Sequence, residues 1–310
     1  MAETPRLTRR RFLTVAAAVV TARPGWATTA EVWRGQALGA QVTLYLAHPR
    51  APELAGRVWA ELARLEDVFS LHRPGSALSR LNSDGRLVAP PFELVECLGL
   101  AGAVHAASGG AFDPTVQPLW SLYARSHAAG QVPRAVEIAR ALALSGWRDV
   151  VIDPGEIRLR RKGMALTLNG IAQGYCADRI ATLLAAEGMT DCLIDTGEFR
   201  ALGGQPAGAA WPVTPEAPDG ARLPQLDLRD RALAVSAPAG TTFDADGLVG
   251  HILDPVSGLP AAAHWRMTAV TAPSAAIADG LSTAACLLPP DRARAVVAGF
   301  SGAALAGIAA

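Results

Sequence analysis

The sequence predicts an α+β fold with mainly antiparallel sheets and packed helices, because short strand-like and helix-like segments alternate irregularly along the chain. The regular strand-helix-strand alternation of a doubly wound parallel sheet does not occur. Tight turns such as Asp-Pro-Gly at 153–155 favour hairpins instead. With 310 residues, of which 50% are hydrophobic and 18% charged, the chain can bury a large core. It is therefore predicted to be globular.

The first half of the predicted domain combines strands with two long helices. Alternating apolar residues predict a strand over 42–46, and apolar residues at helical spacing predict a helix over 52–69. Residues 78–81 and 86–89, joined by a turn at 83–85, are predicted to form a strand pair. Pro91 opens a helix that ends at Gly109 and Gly110, because glycine is typical of helix C-termini.

The second half contains shorter elements. A hairpin is predicted around the 153–155 turn from strands 150–152 and 157–160, followed by a strand over 164–168, a helix over 175–187 and a strand over 192–195. Residues 203–231 are rich in Pro, Gly and Ala and are predicted to form loops and edge strands. A short strand over 267–271 precedes a helix that Pro273 and Ser274 begin. One domain is therefore expected over 31–310.

Residues 1–30 are predicted to be a twin-arginine export signal rather than part of the domain. Arg9, Arg10 and Arg11 precede a mostly apolar run at 13–22, and a Pro-Gly break at 24–25 precedes plausible cleavage after Ala27 or Ala30. A short amphipathic start to the fold would not explain this order of charged, apolar and breaking segments. Because this route exports folded proteins, we expect the mature protein in the bacterial periplasm, with association to the inner membrane left open.

Several functional classes are disfavoured by composition and motif content. The formal net charge is zero, which argues against non-specific nucleic-acid binding. Neither a GxGxxG after a strand nor a GxxxxGK[ST] occurs, and no stretch after residue 30 is long and apolar enough for a membrane span. The four cysteines have no CxxC spacing and are predicted to be small buried hydrophobes, not zinc ligands: Cys97, Cys176, Cys192 and Cys286.

A polar stripe inside an apolar helical segment is the first candidate site. Asp279 and Thr283 lie four residues apart, about one helical turn, and Ser282 lies beside them. Burying an unpaired carboxylate costs several kcal/mol, so a cation, a donor network or water must face Asp279. Two plainer interpretations remain open, a helix surface facing water and a threonine bonded to its own backbone.

Three further polar clusters are bounded by Gly or Pro and are expected at the ends of elements. The first is Ala111-Phe112-Asp113, which could equally be an Asp-Pro turn. The second is the loop 168–175, whose following helix could receive phosphate oxygens at its N-terminus or could simply follow a strand-to-helix turn. The third is His251 before an Asp-Pro turn, which could also be a structural histidine.

Five segments together carry a family resemblance. In chain order they are "SLHRPGSALSRLN", "GGAFDPTVQPLW", "LNGIAQGYCAD", "HILDPVSGLP" and "TAPSAAIADGLSTAACLL", and they resemble the ApbE family of FAD:protein FMN transferases over residues 35–288. The resemblance implies an ApbE-like, T-fold-related architecture. It also implies a reaction in which FMN from FAD is attached through a phosphoester to a threonine of an acceptor flavoprotein, with AMP released and Mg²⁺ at the diphosphate.

The resemblance also implies roles for individual residues. The magnesium ligands would be Asp279 and Thr283, with Ser282 beside them and the carbonyl oxygen of Gly170 as a further ligand. Such oxygen ligands suit Mg²⁺. His251 would be the base that deprotonates the acceptor threonine. The positions that would contact FAD are Leu38, His72, Ala111, Phe112, Asp113, Thr167, Gln173 and Leu253.

Departures from the family pattern leave alternatives open. Thr167 and Gln173 stand where an acid and a lysine are usual, and Glu198 stands where the second glycine of a pair is usual, so FAD affinity or orientation is expected to differ. One alternative is an FAD pyrophosphatase that uses water and gives FMN and AMP; the other is a non-catalytic periplasmic FAD-binding assembly factor. The segment "GEFRALGG", taken with the export signal, resembles the subgroup linked to nitrous oxide reductase maturation, whose acceptor would be a membrane flavoprotein.

Overall fold

The computed structural model describes residues 30–217, 219–261 and 265–309, together with the backbone of Ala18–Val19. Apart from that two-residue strand, the predicted export signal lies outside the described residues. Within the described part of the chain, no helix has the length and apolar composition needed to cross a membrane.

Helices and antiparallel strands alternate irregularly, which confirms the α+β prediction. The strands are β1 Ala18–Val19, β2 Glu31–Ala37, β3 Ala40–Leu46, β4 Arg86–Val88, β5 Val150–Asp153, β6 Glu156–Leu159, β7 Cys192–Asp195, β8 Phe199–Leu202, β9 Trp211–Pro215, β10 Leu226–Leu228, β11 Ala232–Ser236, β12 Met267–Ala272 and β13 Ala304–Ala309. The helices are α1 Ala51–Phe69, α2 Ala77–Asp84, α3 Phe92–Ser108, α4 Gln117–Ala128, α5 Ala135–Leu142, α6 Ala172–Ala186, α7 Ala275–Ala285 and α8 Pro290–Ala298.

A seven-stranded sheet with the order β13-β12-β11-β8-β7-β3-β2 forms the centre of the fold, and each of its neighbouring pairs is antiparallel. Both of its faces are covered. Along β7, Cys192 and Ile194 pack into the main core with the helices, whereas Leu193 packs with Trp211 and Leu228 on the opposite side. This alternation follows from the two-residue period of a strand, and it makes the central strands apolar on both faces.

Most predicted elements are confirmed, including the helices near 52–69, 91–109 and 175–187, the hairpin around 153–155 and the edge strands within 203–231. The predicted strand over 78–81 is wrong, because these residues belong to α2. Ser76 caps this helix by accepting a hydrogen bond from the backbone N–H of Ser79, at 3.1 Å. Leu78 and Leu81 then share one buried helical face, three residues apart.

The predicted strand over 164–168 is also wrong, since this segment is irregular. The side chain of Asn82 occupies both backbone groups of Leu166, accepting from its N–H at 2.7 Å and donating to its carbonyl at 2.8 Å. The next N–H, of Thr167, donates to the carbonyl of Pro114 at 2.8 Å. The groups that a neighbouring strand would pair are therefore already used. The four cysteines are free and buried, as predicted.

Candidate active site

An open cleft lies where the first turn of α6, the middle of α7, the end of β11 and the loop around His251 meet. Most of the residues predicted from sequence as site residues line it. The complete lining is Ala111, Phe112, Asp113, Pro114, Val116, Trp120, Thr167, Asn169, Gly170, Gln173, Glu198, Ser236, Ala237, His251, Ile252, Leu253, Asp279, Thr283 and Leu287.

The carboxylate of Asp178 holds the start of α7 against α6. Asp178 of α6 accepts hydrogen bonds from the backbone N–H groups of Ala275 and Ala276, at 2.9 and 3.0 Å, and from the hydroxyl of Ser274 at 2.7 Å. A carboxylate at a helix N-terminus satisfies donors that the helix itself leaves unpaired. Ser274 in turn accepts from the N–H of Ile277 at 3.3 Å, which confirms the predicted cap. The direction of α7 is therefore fixed near its first turn.

The two helices also approach closely farther along. Gly174 has no side chain, and a Cβ there would overlap the carbonyl oxygen of Ala275. The N–H of Gly174 donates to Oδ2 of Asp279 at 3.1 Å. The close approach that glycine permits thus places a backbone donor against the carboxylate.

Asp279 is buried, with only 3% of its surface exposed, although it lines the cleft. The interpretation of its helix face as a surface facing water is therefore wrong. Burial raises the pKa of Asp279, and the hydrogen bond from Gly174 opposes this only in part. A buried carboxylate with one backbone donor is well placed to accept a cation.

Thr283 and Gly170 face each other across the same part of the cleft. A Cβ built on Gly170 would lie 2.8 Å from the hydroxyl oxygen of Thr283, so the backbone of Gly170 is close to that hydroxyl. In the described residues no group of three or more His, Cys, Asp or Glu side chains is arranged to hold a metal. An ion bound here would need hydroxyl and carbonyl oxygens in addition to Asp279, and these hard ligands fit Mg²⁺.

Ser282, the third predicted residue of the stripe, does not line the cleft. Its side chain is fully buried, pairs with the hydroxyl of Ser236 at 2.7 Å and donates to the backbone carbonyl of Asp279 at 2.9 Å. The hydroxyl of Ser236 also lies 3.4 Å from that of Thr283. Ser282 therefore ties α7 to β11, beneath the face that carries Thr283.

The Asp-Pro turn at 113–114 is present and shapes one wall of the cleft. Oδ1 of Asp113 accepts from the N–H of Thr115 at 2.8 Å and from its hydroxyl at 2.6 Å, so Asp113 caps the short 3₁₀ helix Pro114–Val116. Nδ1 of His105 donates to the carbonyl of Phe112 at 2.8 Å. These bonds orient Ala111, Phe112 and Asp113 towards the cleft. The structural interpretation of Asp113 as part of a turn is confirmed, and the residue also lines the cleft.

His251 also lines the cleft, and its hydrogen bonding defines its tautomer. Its Nδ1 lies 2.9 Å from the carbonyl oxygen of Thr241, and because a carbonyl can only accept, Nδ1 carries the proton. In the neutral ring Nε2 is then the basic nitrogen. Burial lowers the pKa of His251, and hydrogen bonding to the carbonyls of Thr241 and Pro238 offsets this in part. The ring is therefore held neutral near physiological pH, which is the form that can take a proton.

Gln173 presents a buried donor to the cleft. Only 6% of its surface is exposed, and its Nε2 has no hydrogen-bond partner among the described residues. Its backbone is anchored because its carbonyl accepts from the hydroxyl of Thr196 at 3.0 Å. An unsatisfied buried donor costs about 1–3 kcal/mol, which a ligand with oxygen acceptors would recover. FAD, which carries phosphate and carbonyl oxygens, fits this requirement.

Two other predicted FAD positions lie outside the cleft lining. His72 is exposed and lines a separate hollow with Ser79, Asn82 and Gln117, while Leu38 lies in the β2–β3 turn with a φ of +50°. Conversely, Trp120, Glu198 and Ser236 line the cleft without having been predicted as site residues. Glu198 carried a usable signal, because it is an acidic residue at a position where the family usually has glycine.

Comparison with known proteins identifies the family. The ApbE family model matches residues 38–306. The FAD:protein FMN transferase of Treponema pallidum is 31% identical over 286 residues, which cover 84% of this chain and 79% of that protein. A Klebsiella pneumoniae protein of the same name is 30% identical over 233 residues, covering 72% of this chain and 71% of its own length.

Solved structures give the same result. The apo flavinyl transferase ApbE of Pseudomonas stutzeri is 30% identical and superposes with a TM-score of 0.76, covering 90% of this chain and 94% of its own. The ApbE protein of Thermotoga maritima is 27% identical with a TM-score of 0.78, covering 88% and 92%. Because the family model matches most of the sequence and these structures share its fold, the chain belongs to the ApbE family.

Proposed function

We propose that this protein is a Mg²⁺-dependent flavin transferase that moves FMN from FAD to a threonine of an acceptor protein and releases AMP. The observation that carries the proposal is the convergence of Asp279, Thr283, Gly170 and His251 on one cleft. The names of the relatives in Treponema pallidum and Klebsiella pneumoniae, both FAD:protein FMN transferases, support the same activity.

The cleft offers separate surfaces for the parts of FAD. Phe112, Trp120 and Leu253 give it an apolar wall suited to a flavin or adenine ring, and Nε2 of Gln173 can donate to an oxygen of the substrate. Asp279, Thr283 and the backbone of Gly170 would hold Mg²⁺. When bound, this ion would neutralise charge on the diphosphate and on the departing AMP.

The reaction exchanges the phosphoanhydride bond of FAD for a phosphoester bond to the acceptor. The hydroxyl oxygen of the acceptor threonine forms a bond to the phosphorus of the FMN half of FAD, and the bond from that phosphorus to the bridging oxygen breaks. AMP leaves with the electron pair. The hydroxyl proton passes to Nε2 of His251, while the carbonyl of Thr241 continues to accept the hydrogen bond from Nδ1–H and stabilises the charged ring.

Replacing His251 with alanine tests this assignment directly. If His251 is the base, transfer should fall by a factor on the order of 10² to 10⁴, with FAD and metal binding little changed and the defect eased at higher pH. Fluorescence of the flavinylated acceptor, AMP release, FAD affinity and melting temperature would be measured on one preparation. His48→Ala, which changes a histidine outside the cleft, is the matched control and should retain activity.

The same assay separates the two alternative activities. Free FMN and AMP formed equally well with and without acceptor would identify an FAD pyrophosphatase. Tight FAD binding with no AMP under any condition would identify an assembly factor. Unchanged transfer in a stable His251→Ala protein would remove His251 from the mechanism.

We also infer that the protein acts in the periplasm after twin-arginine export, on a membrane-bound flavoprotein. The inference rests on Arg9 and Arg10 before the apolar run 13–22 and on the "GEFRALGG" segment. Changing Arg9 and Arg10 to lysine should leave the precursor in the cytoplasm, because the arginine pair and not charge alone is required. Arg23→Lys is the charge-matched control, and periplasmic recovery of the double variant would contradict this route.

A further inference from the structure

Glu198 is a buried carboxylate that the proposed mechanism does not use. It lies in the turn between β7 and β8, is 1% exposed, and nevertheless lines the cleft. Its Oε2 accepts a hydrogen bond from the backbone N–H of Val235 at 3.1 Å. Removing a carboxylate from water to this extent costs several kcal/mol unless charge or further hydrogen bonds compensate.

A second buried carboxylate lines the same cleft. Asp279 is 3% exposed and borders the space that Glu198 also borders. Among the described residues, no arginine, lysine or histidine forms an ion pair with either side chain. Gln173, the polar neighbour at the first turn of α6, carries a neutral amide and cannot supply the missing positive charge. The pair therefore faces the cleft without a compensating cation from the protein.

Strand β11 connects Glu198 to the hydroxyl side of the metal site. Val235, which donates to Glu198, is followed by Ser236, whose hydroxyl lies 3.4 Å from that of Thr283. The first of these two consecutive residues thus holds Glu198, and the second approaches Thr283. The two carboxylates and the hydroxyl consequently border the same space.

We propose that Glu198 is a second carboxylate of the metal site and binds the divalent cation together with Asp279. The inference rests on the proposed function only in that both place the ion in this cleft. A further anionic oxygen ligand strengthens binding of a hard divalent cation, because ligand charge sets affinity in such sites.

Mn²⁺ titration of the full chain tests the inference without reference to activity. Free Mn²⁺, followed by its electron paramagnetic resonance signal, gives the affinity of the wild-type protein and of Glu198→Gln. The glutamine keeps the size and the acceptor for Val235 but removes the charge. We expect the Mn²⁺ Kd to rise by about 10- to 100-fold. Asp227→Asn is the matched control, since Asp227 is an exposed carboxylate on β10 that does not line the cleft, and its Kd should be little changed.

A second readout covers folding. Saturating Mn²⁺ should raise the melting temperature of the wild-type protein more than that of Glu198→Gln, because binding to the native state stabilises it. If Glu198→Gln does not fold, Glu198→Asp, which retains the charge but withdraws it by one methylene, should show an intermediate Kd. A wild-type Mn²⁺ Kd in Glu198→Gln would overturn the inference. If only Glu198→Asp folds, a wild-type Mn²⁺ Kd in that variant would overturn it.

The outcomes also separate this inference from the proposed function. If Asp279→Asn loses Mn²⁺ binding while Glu198→Gln retains it, the metal site stands and the role of Glu198 is wrong. If the wild-type protein binds no Mn²⁺ with or without FAD, the metal site and the role of Glu198 both fail.

Discussion

Replacing Gly170 with alanine should damage the metal site while leaving the fold intact. A Cβ at this position would lie 2.8 Å from the hydroxyl oxygen of Thr283, 3.2 Å from its methyl carbon and 3.3 Å from a ring carbon of Phe112. Ordinary van der Waals contacts begin at 3.4 Å, so all three neighbours are too close. Gly170 does not have a positive φ, and alanine therefore adds no backbone strain.

The expected loss of metal affinity depends on which of the three crowded atoms can move. The nearest atom is the end of a short side chain, and Thr283 can relieve the contact by rotating to another staggered position. That rotation takes its hydroxyl away from the ion. We expect the Mn²⁺ Kd to rise by about 10- to 100-fold, the range typical of altered metal surroundings. Overpacking should cost about 1–3 kcal/mol of unfolding free energy, which a protein of this size can tolerate.

The measurements are Mn²⁺ affinity, melting temperature and flavin transfer on the same preparation. Gly99→Ala is the matched control, because Gly99 is an exposed position within α3 with no atom near the added Cβ. That control should gain about 0.5–1 kcal/mol of stability, since alanine favours a helix interior, and should bind Mn²⁺ normally. A Gly170→Ala protein with wild-type Mn²⁺ affinity and transfer would refute the placement of Gly170 and Thr283 at one ion.

Three further predictions follow from burial and charge. Thr283→Val, which is nearly isosteric, should weaken Mn²⁺ binding with little loss of melting temperature; a large loss would favour a purely structural role for the hydroxyl. Because burial lowers the pKa of His251 below 6.5, transfer should hold steady down to that pH and decline only below it, and a decline centred above 6.5 would contradict the assignment. Burial raises the pKa of Asp195 to about 6, so its ionisation costs stability as pH rises from its unfolded value of about 4 through 6. Asp195→Asn should therefore be more stable than wild type by about 1–3 kcal/mol at pH 8, with the gain vanishing near pH 3.5 in denaturant titrations.

Periodicity and turn chemistry predicted the elements whose local sequence agrees with their tertiary surroundings. The helix over 91–109 has a proline before it and Gly109 after it, and the structure places Gly109 in the left-handed conformation that such an end requires. The 164–168 segment shows the opposite case. It has the alternation of a strand, with Met164, Leu166 and Leu168 buried, but Asn82 is its hydrogen-bond partner. That contact joins residues 84 positions apart in the sequence, so a local pattern cannot predict it.

The residues of the candidate site likewise fall into those that local spacing predicts and those that depend on tertiary contacts. Spacing on one helix was enough to pair Asp279 with Thr283, because one helical turn fixes their common face. Spacing could not separate Thr283 from Ser282, since adjacent residues on a helix point about 100° apart and only packing decides which faces a cavity. Ser282 faces the interior, where its hydroxyl pairs with that of Ser236 on a strand distant in sequence. Glu198 likewise shares a cleft with Asp279 only because the sheet places the β7–β8 turn there, so its position depends on topology.

The placement of the groups on different elements explains why binding and proton transfer should be separable by mutation. Asp279 and Thr283 lie on α7, whose start is fixed by Asp178 and whose approach to α6 is set by Gly174. His251 lies on a loop and is oriented by the carbonyl of Thr241, with no hydrogen bond to α7 among the described residues. A rigid helix holds ligands to a fixed geometry better than a loop does. Changes on α7 should therefore alter metal affinity first and transfer as a consequence, whereas changes at His251 should alter transfer while metal affinity is retained.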